Sequence, residues 1–230
     1  MLEIDRLPTS EELPDSDETP VDNELQNYIP NLLLFTLDFI WRDREDWYFG
    51  ADMGIYHTTG GNHCIPVIPD GFLSIGVPRY KGSGGRRSYV LWEENYIPPI
   101  LVLEIVSHNY NNEYTEKLEI YRRLGVLYCV IYNPFFYQHD RRNPLEIYKL
   151  IAGEYVLQVG EPYWMPEIGL GLGRYPATPY ELLGWFNQEG DRYLTPDEVA
   201  NLERKRADKM QKELESLRQK LKEMGIENEQ

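Results

Sequence analysis

The chain contains 230 residues, 42% of them hydrophobic and 13% aromatic, which is enough to bury the core of one substantial domain with appendages. Its formal net charge is −15, and this excess of acids argues against strong non-specific binding to nucleic acid, which depends on neutralising phosphates. Two widely separated cysteines without metal-ligand spacing favour a reduced, cytoplasmic compartment, and no apolar run reaches the length of about 18 residues that would predict a membrane span.

The first part of the chain predicts a leader, a helix and two strands. Residues 1–21 are acidic and rich in proline, which predicts a flexible leader before a domain at 22–194. That domain opens with a helix over "VDNELQNYIPNLLLFTLDFIWRD", in which Pro30 either kinks the helix or marks its first turn. The alternating run "WYFGADMGIYH" predicts a strand, and a second strand over "VIPDGFLSIGV" carries Asp70.

The next strand contains a charge that needs an explanation. The run "ILVLEIV" is typical of a strand buried on both faces, yet it places Glu104 in its middle. An ionised carboxylate is costly there unless it is paired, hydrogen-bonded or bound to a metal. A helix over "NEYTEKLEIYRRLGV" follows and ends at Gly125.

The rest of the domain is predicted to be mainly β-structure. "LYCVIYNP" predicts a third buried strand, and "LEIYKLIAGEYVLQV" predicts a hairpin that turns at Ala152-Gly153. The segment "PEIGLGLGRYPATPYELLGWF" predicts a loop, a short strand and a short helix that close the domain.

A C-terminal helix occupies residues 195–230, with Thr195 as its N-cap and Pro196 at its first position. Apolar residues recur along it at spacings of 4, 3, 4 and 3, and these are Met210, Leu214, Leu217, Leu221 and Met224. This pattern predicts either a coiled-coil homodimer through residues 196–224 or a single solvated helix supported by its own charge pairs.

The carboxylates and the following helix define a candidate site. If their strands pair, Asp70 and Glu104 lie on neighbouring strands, where two carboxylates repel each other unless a divalent cation lies between them. Glu113, Lys117 and Tyr121 share one face of the next helix because they are four residues apart. The alternatives are that Asp70 is only a turn residue in Pro-Asp-Gly and that Glu104 and Lys117 form a structural ion pair.

Three stretches together resemble a known family: "PDGFLSIG", "PPILVLEIVS" and "EYTEKLEIYRRLGVLYCVIYNP". They are similar to the Uma2 family, which is placed among the PD-(D/E)xK restriction-endonuclease-like nucleases and is abundant in cyanobacteria. The resemblance covers roughly residues 22–190. It implies an α/β fold of the restriction-endonuclease type, with a mixed central sheet flanked by helices; the helical, candidate coiled-coil extension follows it.

The resemblance also implies an activity and its residues. Asp70 and Glu104 match the two acids that are expected to hold Mg²⁺ or Mn²⁺. Lys117 matches the lysine near the attacking water, and Tyr121 matches the tyrosine one turn later. These four residues would be the catalytic site of a metal-dependent endonuclease that hydrolyses DNA phosphodiester bonds.

Several positions differ from the pattern. The superfamily's lysine two residues after the second acid is Val106 here, so Lys117 must supply the amine from the following helix. His108 and Asn109 replace residues that are expected beside the site. Glu24 is a candidate for the acid that often lies on the first helix of this superfamily.

The Gly-rich stretch "RYKGSGGRR" contains the concentrated positive charge of the domain, with candidate nucleic-acid-binding residues Arg79, Lys81, Arg86 and Arg87. The alternative is a solvated loop. Two other functions remain open at this point. One is an inactive nuclease fold that assembles through the C-terminal helix, and the other is a hydrolase of small phosphoesters that keeps the metal site.

Overall fold

The computed structural model describes residues 6–14, 24–59, 64–107, 113–139 and 141–224. The chain divides after Tyr193 into two compact units. The elements of the first unit, in chain order, are α1 Glu24–Ile40, β1 Trp47–Ala51, β2 Ile55–Tyr56, β3 Gly71–Ile75, β4 Tyr89–Val90, a 3-10 helix Leu91–Glu93, β5 Leu101–Ile105, α2 Glu116–Leu124, β6 Tyr128–Tyr132, β7 Leu145–Ile151, β8 Glu154–Leu157, β9 Tyr163–Met165, β10 Leu170–Tyr175 and β11 Leu182–Phe186. The second unit contains α3 Pro196–Glu223.

A six-stranded mixed sheet forms the centre of the first unit, in the order β1-β3-β5-β6-β7-β8. Strands β5 and β6 are parallel, and the other neighbours are antiparallel. A parallel pair needs a long crossover connection, and α2 supplies it. Smaller sheets are formed by β11-β10-β9 and by β2-β4. The predicted α/β fold with a mixed central sheet is therefore confirmed.

The two faces of the sheet bury different cores, and β5 belongs to both. Leu101, Leu103 and Ile105 pack into the cluster that contains the apolar residues of α1. Val102, together with Val106 directly after the strand, packs into the second cluster, which contains Tyr121 of α2. All five residues of β5 are buried, as the sequence predicted. Because side chains alternate along a strand, Glu104 lies on the same face as Val102, toward α2.

The first helix is continuous through its proline. It begins at Glu24, six residues before Pro30, so the alternative in which the helix starts at Pro30 is wrong. Pro30 is buried, and a Cβ built at Gly71, at the start of β3, would lie 3.3 Å from its Cβ. The helix is also tied to the small sheet, because the indole N–H of Trp185 donates to the carbonyl of Leu33 at 2.9 Å.

Two other predicted elements are corrected. "WYFGADMGIYH" forms two strands rather than one, because Asp52 has a φ of 48° and interrupts the extended chain. Leu182–Phe186 is a strand, not the predicted short helix, because it pairs antiparallel with β10 and fills the core with Leu183 and Trp185. The predicted hairpin is confirmed, with Ala152 and Gly153 both at positive φ between β7 and β8.

Helix α3 has the predicted start. The Thr195 side chain accepts from the N–H of Glu198, and the Glu198 carboxylate accepts from the N–H of Thr195, which completes a capping box. Its five seam residues, Met210 to Met224, are all exposed. None of the helices that the structure describes is both long and apolar enough to cross a membrane.

Replacing Gly50 of β1 with alanine is expected to lower the free energy of unfolding by about 1–3 kcal/mol, the usual cost of overpacking a core. A Cβ at this position would lie 2.4 Å from Cε1 of Phe72, whose ring is completely buried. Urea denaturation measures the change. Gly84→Ala is the control, because a Cβ there meets nothing within 4 Å, and equal stability of the two variants would contradict the packing described here.

Candidate active site

Asp70 and Glu104 come together where β3 begins and β5 ends. Strands β3 and β5 are antiparallel and pair Gly71 with Leu103. The residue before Gly71 is therefore opposite the residue after Leu103, which places Asp70 opposite Glu104. Residues directly opposite each other point to the same face of a sheet. Oδ2 of Asp70 accepts a hydrogen bond from the backbone N–H of Ile105 at 2.5 Å, which holds the carboxylate against the end of β5.

The Glu104 carboxylate is buried and is contacted by two side chains of α2. Its exposed fraction is 1%, so both oxygens need partners within the protein. Nζ of Lys117 donates to Oε2 at 2.8 Å, and the hydroxyl of Tyr121 donates to Oε1 at 2.5 Å. The two donors reach the same carboxylate because residues four apart lie on one face of a helix.

Lys117 connects the strands of the two acids. In addition to Glu104, its amine donates to the carbonyl of Ile68, two residues before Asp70, at 3.1 Å. Its side chain is 21% exposed, so the amine lies at the edge of the core rather than in bulk solvent. The helix therefore brings a lysine to the end of β5, where the chain itself offers only Val106.

Both carboxyl groups of the site have raised pKa values. Burial raises the pKa of Asp70 well above its usual range, and the charge on Glu104 raises it further, while Ile105 N–H and Lys117 act in the opposite direction. Burial also raises the pKa of Glu104, despite its bonds to Lys117 and Tyr121. For Lys117, burial would lower the pKa, but Glu104 and Asp70 outweigh it and raise the pKa, so the amine stays protonated at neutral pH.

The donor set fits a hard divalent cation. Oδ1 of Asp70 accepts no hydrogen bond from the residues that the structure describes, and the residue is partly open to solvent. Mg²⁺ and Mn²⁺ prefer oxygen ligands, and Mg²⁺ is commonly held by one or two carboxylates together with waters and substrate phosphates. Within the described part of the chain, no three His, Cys, Asp or Glu side chains are grouped so that they could hold a metal ion, which is unlike a closed zinc site.

The sequence indicated four further residues near the site, and only some of them lie beside the two acids. Glu113 is buried, and its charge raises the pKa of both Asp70 and Glu104. Glu24 hydrogen-bonds to Tyr180 and lines a cavity of about 420 Å³ away from the two acids. His108 and Asn109 lie outside the described residues.

Gln26 contacts the end of β5, and no motif in the sequence pointed to it. It lies within the helical pattern of α1 and is buried. Its side-chain amide donates to the carbonyl of Ile105 at 3.3 Å, from the face of the sheet opposite to α2. The peptide groups of Ile105 are therefore held on both sides, by Gln26 and by Asp70.

Two cations of the predicted nucleic-acid-binding loop make contacts inside the domain. Arg79 pairs with Asp38 at 3.0 Å, and its guanidinium carbon lies 4.1 Å from the ring centre of Trp47. Arg86 pairs with Glu94 at 2.9 Å, and both side chains are almost completely buried. These arginines therefore hold the loop against the body of the domain.

The other two cations of the loop differ from each other. Lys81 donates to Glu93 at 3.0 Å and to Glu94 at 2.8 Å, which adds it to the same network. Arg87 is exposed and makes no ion pair with any residue that the structure describes. The role of the loop in binding nucleic acid stays a prediction, and Arg87 is the residue with most freedom to take part.

Comparisons with known proteins identify the family. Residues 17–174 match the family model named Uma2, which is described as "Putative restriction endonuclease". Among solved structures, a "putative nuclease belonging to DUF820" from Anabaena variabilis ATCC 29413 is similar at 13% identity and a TM-score of 0.44, over 64% of this chain and 74% of that one. No curated protein matches the chain. Because the family model spans more than half of its residues, the chain belongs to the Uma2 family.

Proposed function

We propose that the chain is a metal-dependent endonuclease that hydrolyses phosphodiester bonds of DNA in the cytoplasm. The observation that supports this most is the convergence of Asp70 and Glu104 on one face of the sheet, beside the amine of Lys117. Membership of a family described as "Putative restriction endonuclease" supports nucleic acid as the substrate. Cys129 is buried and free, which agrees with a reducing compartment.

Asp70 and Glu104 would hold Mg²⁺ or Mn²⁺ through their carboxylate oxygens. When bound, such an ion polarises a phosphate and makes a bound water more acidic. Tyr121 fixes the orientation of the Glu104 carboxylate by donating to Oε1. Lys117 places a positive charge where negative charge develops on the phosphate, and its amine, 2.8 Å from Oε2 of Glu104, lies where it can orient the attacking water.

The acidity of the chain bears on how the substrate binds. With a net charge of −15, the protein gains little from general attraction to phosphates, so its affinity for DNA should be weak and sensitive to salt. A bound cation offsets part of this repulsion locally. A small phosphoester could use the same site without meeting the acidic surface, which makes it the competing substrate class.

Incubation of the full chain with supercoiled plasmid in Mg²⁺ or Mn²⁺ tests the proposal. We expect nicked and linear products that disappear when EDTA removes the metal. A small aryl phosphodiester assayed in parallel separates the two substrate classes, because preferential turnover of the small ester would identify a hydrolase of small phosphoesters. No hydrolysis of either substrate, with no thermal shift on adding metal, would contradict the proposal.

The exposed seam of α3 favours a second role, assembly with another copy of the chain. Met210, Leu214, Leu217, Leu221 and Met224 are exposed, and a second helix would bury such a heptad pattern. Substituting glutamate for both Leu214 and Leu221 should convert a dimer to a monomer in analytical ultracentrifugation. Ser216→Glu is the control outside the seam, because Ser216 is exposed and lies four residues from both Lys212 and Lys220. A monomeric unaltered chain would contradict this role.

A further inference from the structure

An arginine that the sequence pattern did not single out lies beside the candidate active site. Ile131 of β6 is opposite Glu104 on one side and Glu146 of β7 on the other, so both acids lie on the α2 face of the sheet. Two strand spacings separate them by roughly 10 Å. Nη1 of Arg142 lies 3.6 Å from Oε2 of Glu146, which places the guanidinium on the same face of the sheet as the two acids.

Aromatic stacking holds Arg142 in position. Its guanidinium carbon lies 4.4 Å from the ring centre of Tyr114, and Tyr114 is three residues before Lys117. A guanidinium over a tyrosine ring is attracted to its π face while its N–H groups remain directed outward. The stack therefore places a cation next to the helix that carries the active-site lysine.

The guanidinium N–H groups of Arg142 have no close acceptor among the described residues. The nearest acceptors are distant, with Nη1 3.4 Å from the hydroxyl of Tyr148 and 3.6 Å from Glu146, beyond the normal range for N–H to O bonds. Glu146 is satisfied by closer donors, the Tyr148 hydroxyl at 2.6 Å and the Asn143 N–H at 3.2 Å. The Arg142 side chain is 42% exposed, and among the described residues nothing bonds to its Nε or Nη2.

We propose that Arg142, stacked on Tyr114, is a phosphate-binding subsite that contacts the DNA strand next to the bond being cut. This inference rests on the proposed function and names the cation that positions its substrate. A guanidinium can bind two oxygens of one phosphate through parallel hydrogen bonds, which gives orientation as well as affinity. By contrast, Arg79, Lys81 and Arg86 of the predicted loop already bind carboxylates.

Binding of a fluorescein-labelled DNA duplex to the full chain, followed by anisotropy from low to moderate salt in Ca²⁺, tests the subsite. We expect Arg142→Ala to weaken binding about tenfold at low salt, the effect of losing one charge-assisted hydrogen-bonded contact. The slope of log affinity against log salt should decrease in magnitude by about 0.9, the value for one phosphate contact on duplex DNA. Arg142→Lys should keep the slope and still bind several-fold more weakly, because it keeps the charge and loses the paired donors.

Arg141→Asn is the matched control, because it removes the same charge from the neighbouring position and asparagine tolerates the positive φ of 55° there. It should leave the salt slope unchanged. Equal slopes for Arg142→Ala and the unaltered chain would overturn the subsite while leaving the endonuclease proposal intact, and so would equal losses in the Arg142 and Arg141 variants. An unaltered chain that neither binds nor cleaves DNA would overturn both proposals. A purely structural role would lower the melting temperature of Arg142→Ala without changing its slope, and it would also overturn the subsite.

Discussion

Replacing Lys117 with methionine is expected to lower the free energy of unfolding by about 3 kcal/mol at pH 8. The substitution leaves the Glu104 carboxylate, 1% exposed, without its cationic partner, and removing one member of a buried pair typically costs about 3–5 kcal/mol. We expect the lower end of this range because Tyr121 still donates to Glu104 and because Lys117 itself is 21% exposed. Urea denaturation of the variant and the unaltered chain measures the difference.

The same variant should have a distinctive pH dependence. Lys117 lowers the pKa of Glu104, so without it the folded-state pKa rises further above that of the unfolded chain, near 4.3. The folded state then binds more protons than the unfolded state between these two values, and the stability of Lys117→Met decreases as pH rises through this window. The loss should be small at about pH 3, which lies below both pKa values, so that Glu104 is protonated in both states.

Two controls separate this effect from a general loss of charge. Arg123→Met removes a cation from an exposed pair with Glu119 on the same helix, and it should cost at most about 1 kcal/mol. Adding Glu104→Gln to Lys117→Met should recover much of the stability, because no buried charge then remains. If Lys117→Met costs no more than Arg123→Met at pH 8, the electrostatic account of this pair is wrong.

Replacing Asp70 with asparagine is expected to reduce metal-dependent cleavage by about 10³-fold or more, which corresponds to at least about 4 kcal/mol of transition-state stabilisation. Its stability should be unchanged or increased. Asparagine can still accept the hydrogen bond from Ile105 N–H, and the change removes a buried negative charge that lies beside Glu104. Activity should therefore decrease without any decrease in melting temperature, as is typical of a residue retained for function.

Plasmid cleavage and thermal unfolding, measured on the same preparations, test this expectation. Asp43→Asn is the control, because Asp43 is an exposed acid with a loose contact to Arg42 at 3.5 Å. It should retain both activity and stability. An active Asp70→Asn protein would contradict a catalytic role for Asp70, and a large loss of stability would show that it acts mainly in the fold.

Much of the sheet could be predicted because local pattern and long-range packing agree there. The apolar run around Glu104 could only be a strand covered on both faces, and Gly125 at a φ of 78° ends the next helix as expected. Strand Leu182–Phe186 was missed because the chain gives no local sign that it pairs with β10. Pairing over a distance overrode a sequence that is equally compatible with a helix.

At the candidate site, too, some contacts could be predicted from the sequence and others could not. The shared helix face of Lys117 and Tyr121 follows from their spacing, and the structure adds that both donors reach one carboxylate. The stack of Arg142 on Tyr114 joins residues 28 apart and leaves no trace in the local pattern. Charge in the sequence indicates where cations are, but only the fold shows which of them retain open donors.

Binding of Mn²⁺ to the full chain and to Asp70→Asn, followed by the EPR signal of the free ion, tests most directly whether the two carboxylates share a cation. Asp70 and Glu104 lie on the same face of the sheet, and Oδ1 of Asp70 accepts no hydrogen bond from the described residues. The acidic surface gives both proteins weak Mn²⁺ sites. In addition to these, we expect the unaltered chain to bind at least one equivalent of Mn²⁺ that the variant does not bind. Identical titrations of the two proteins would contradict a metal site at Asp70 and Glu104.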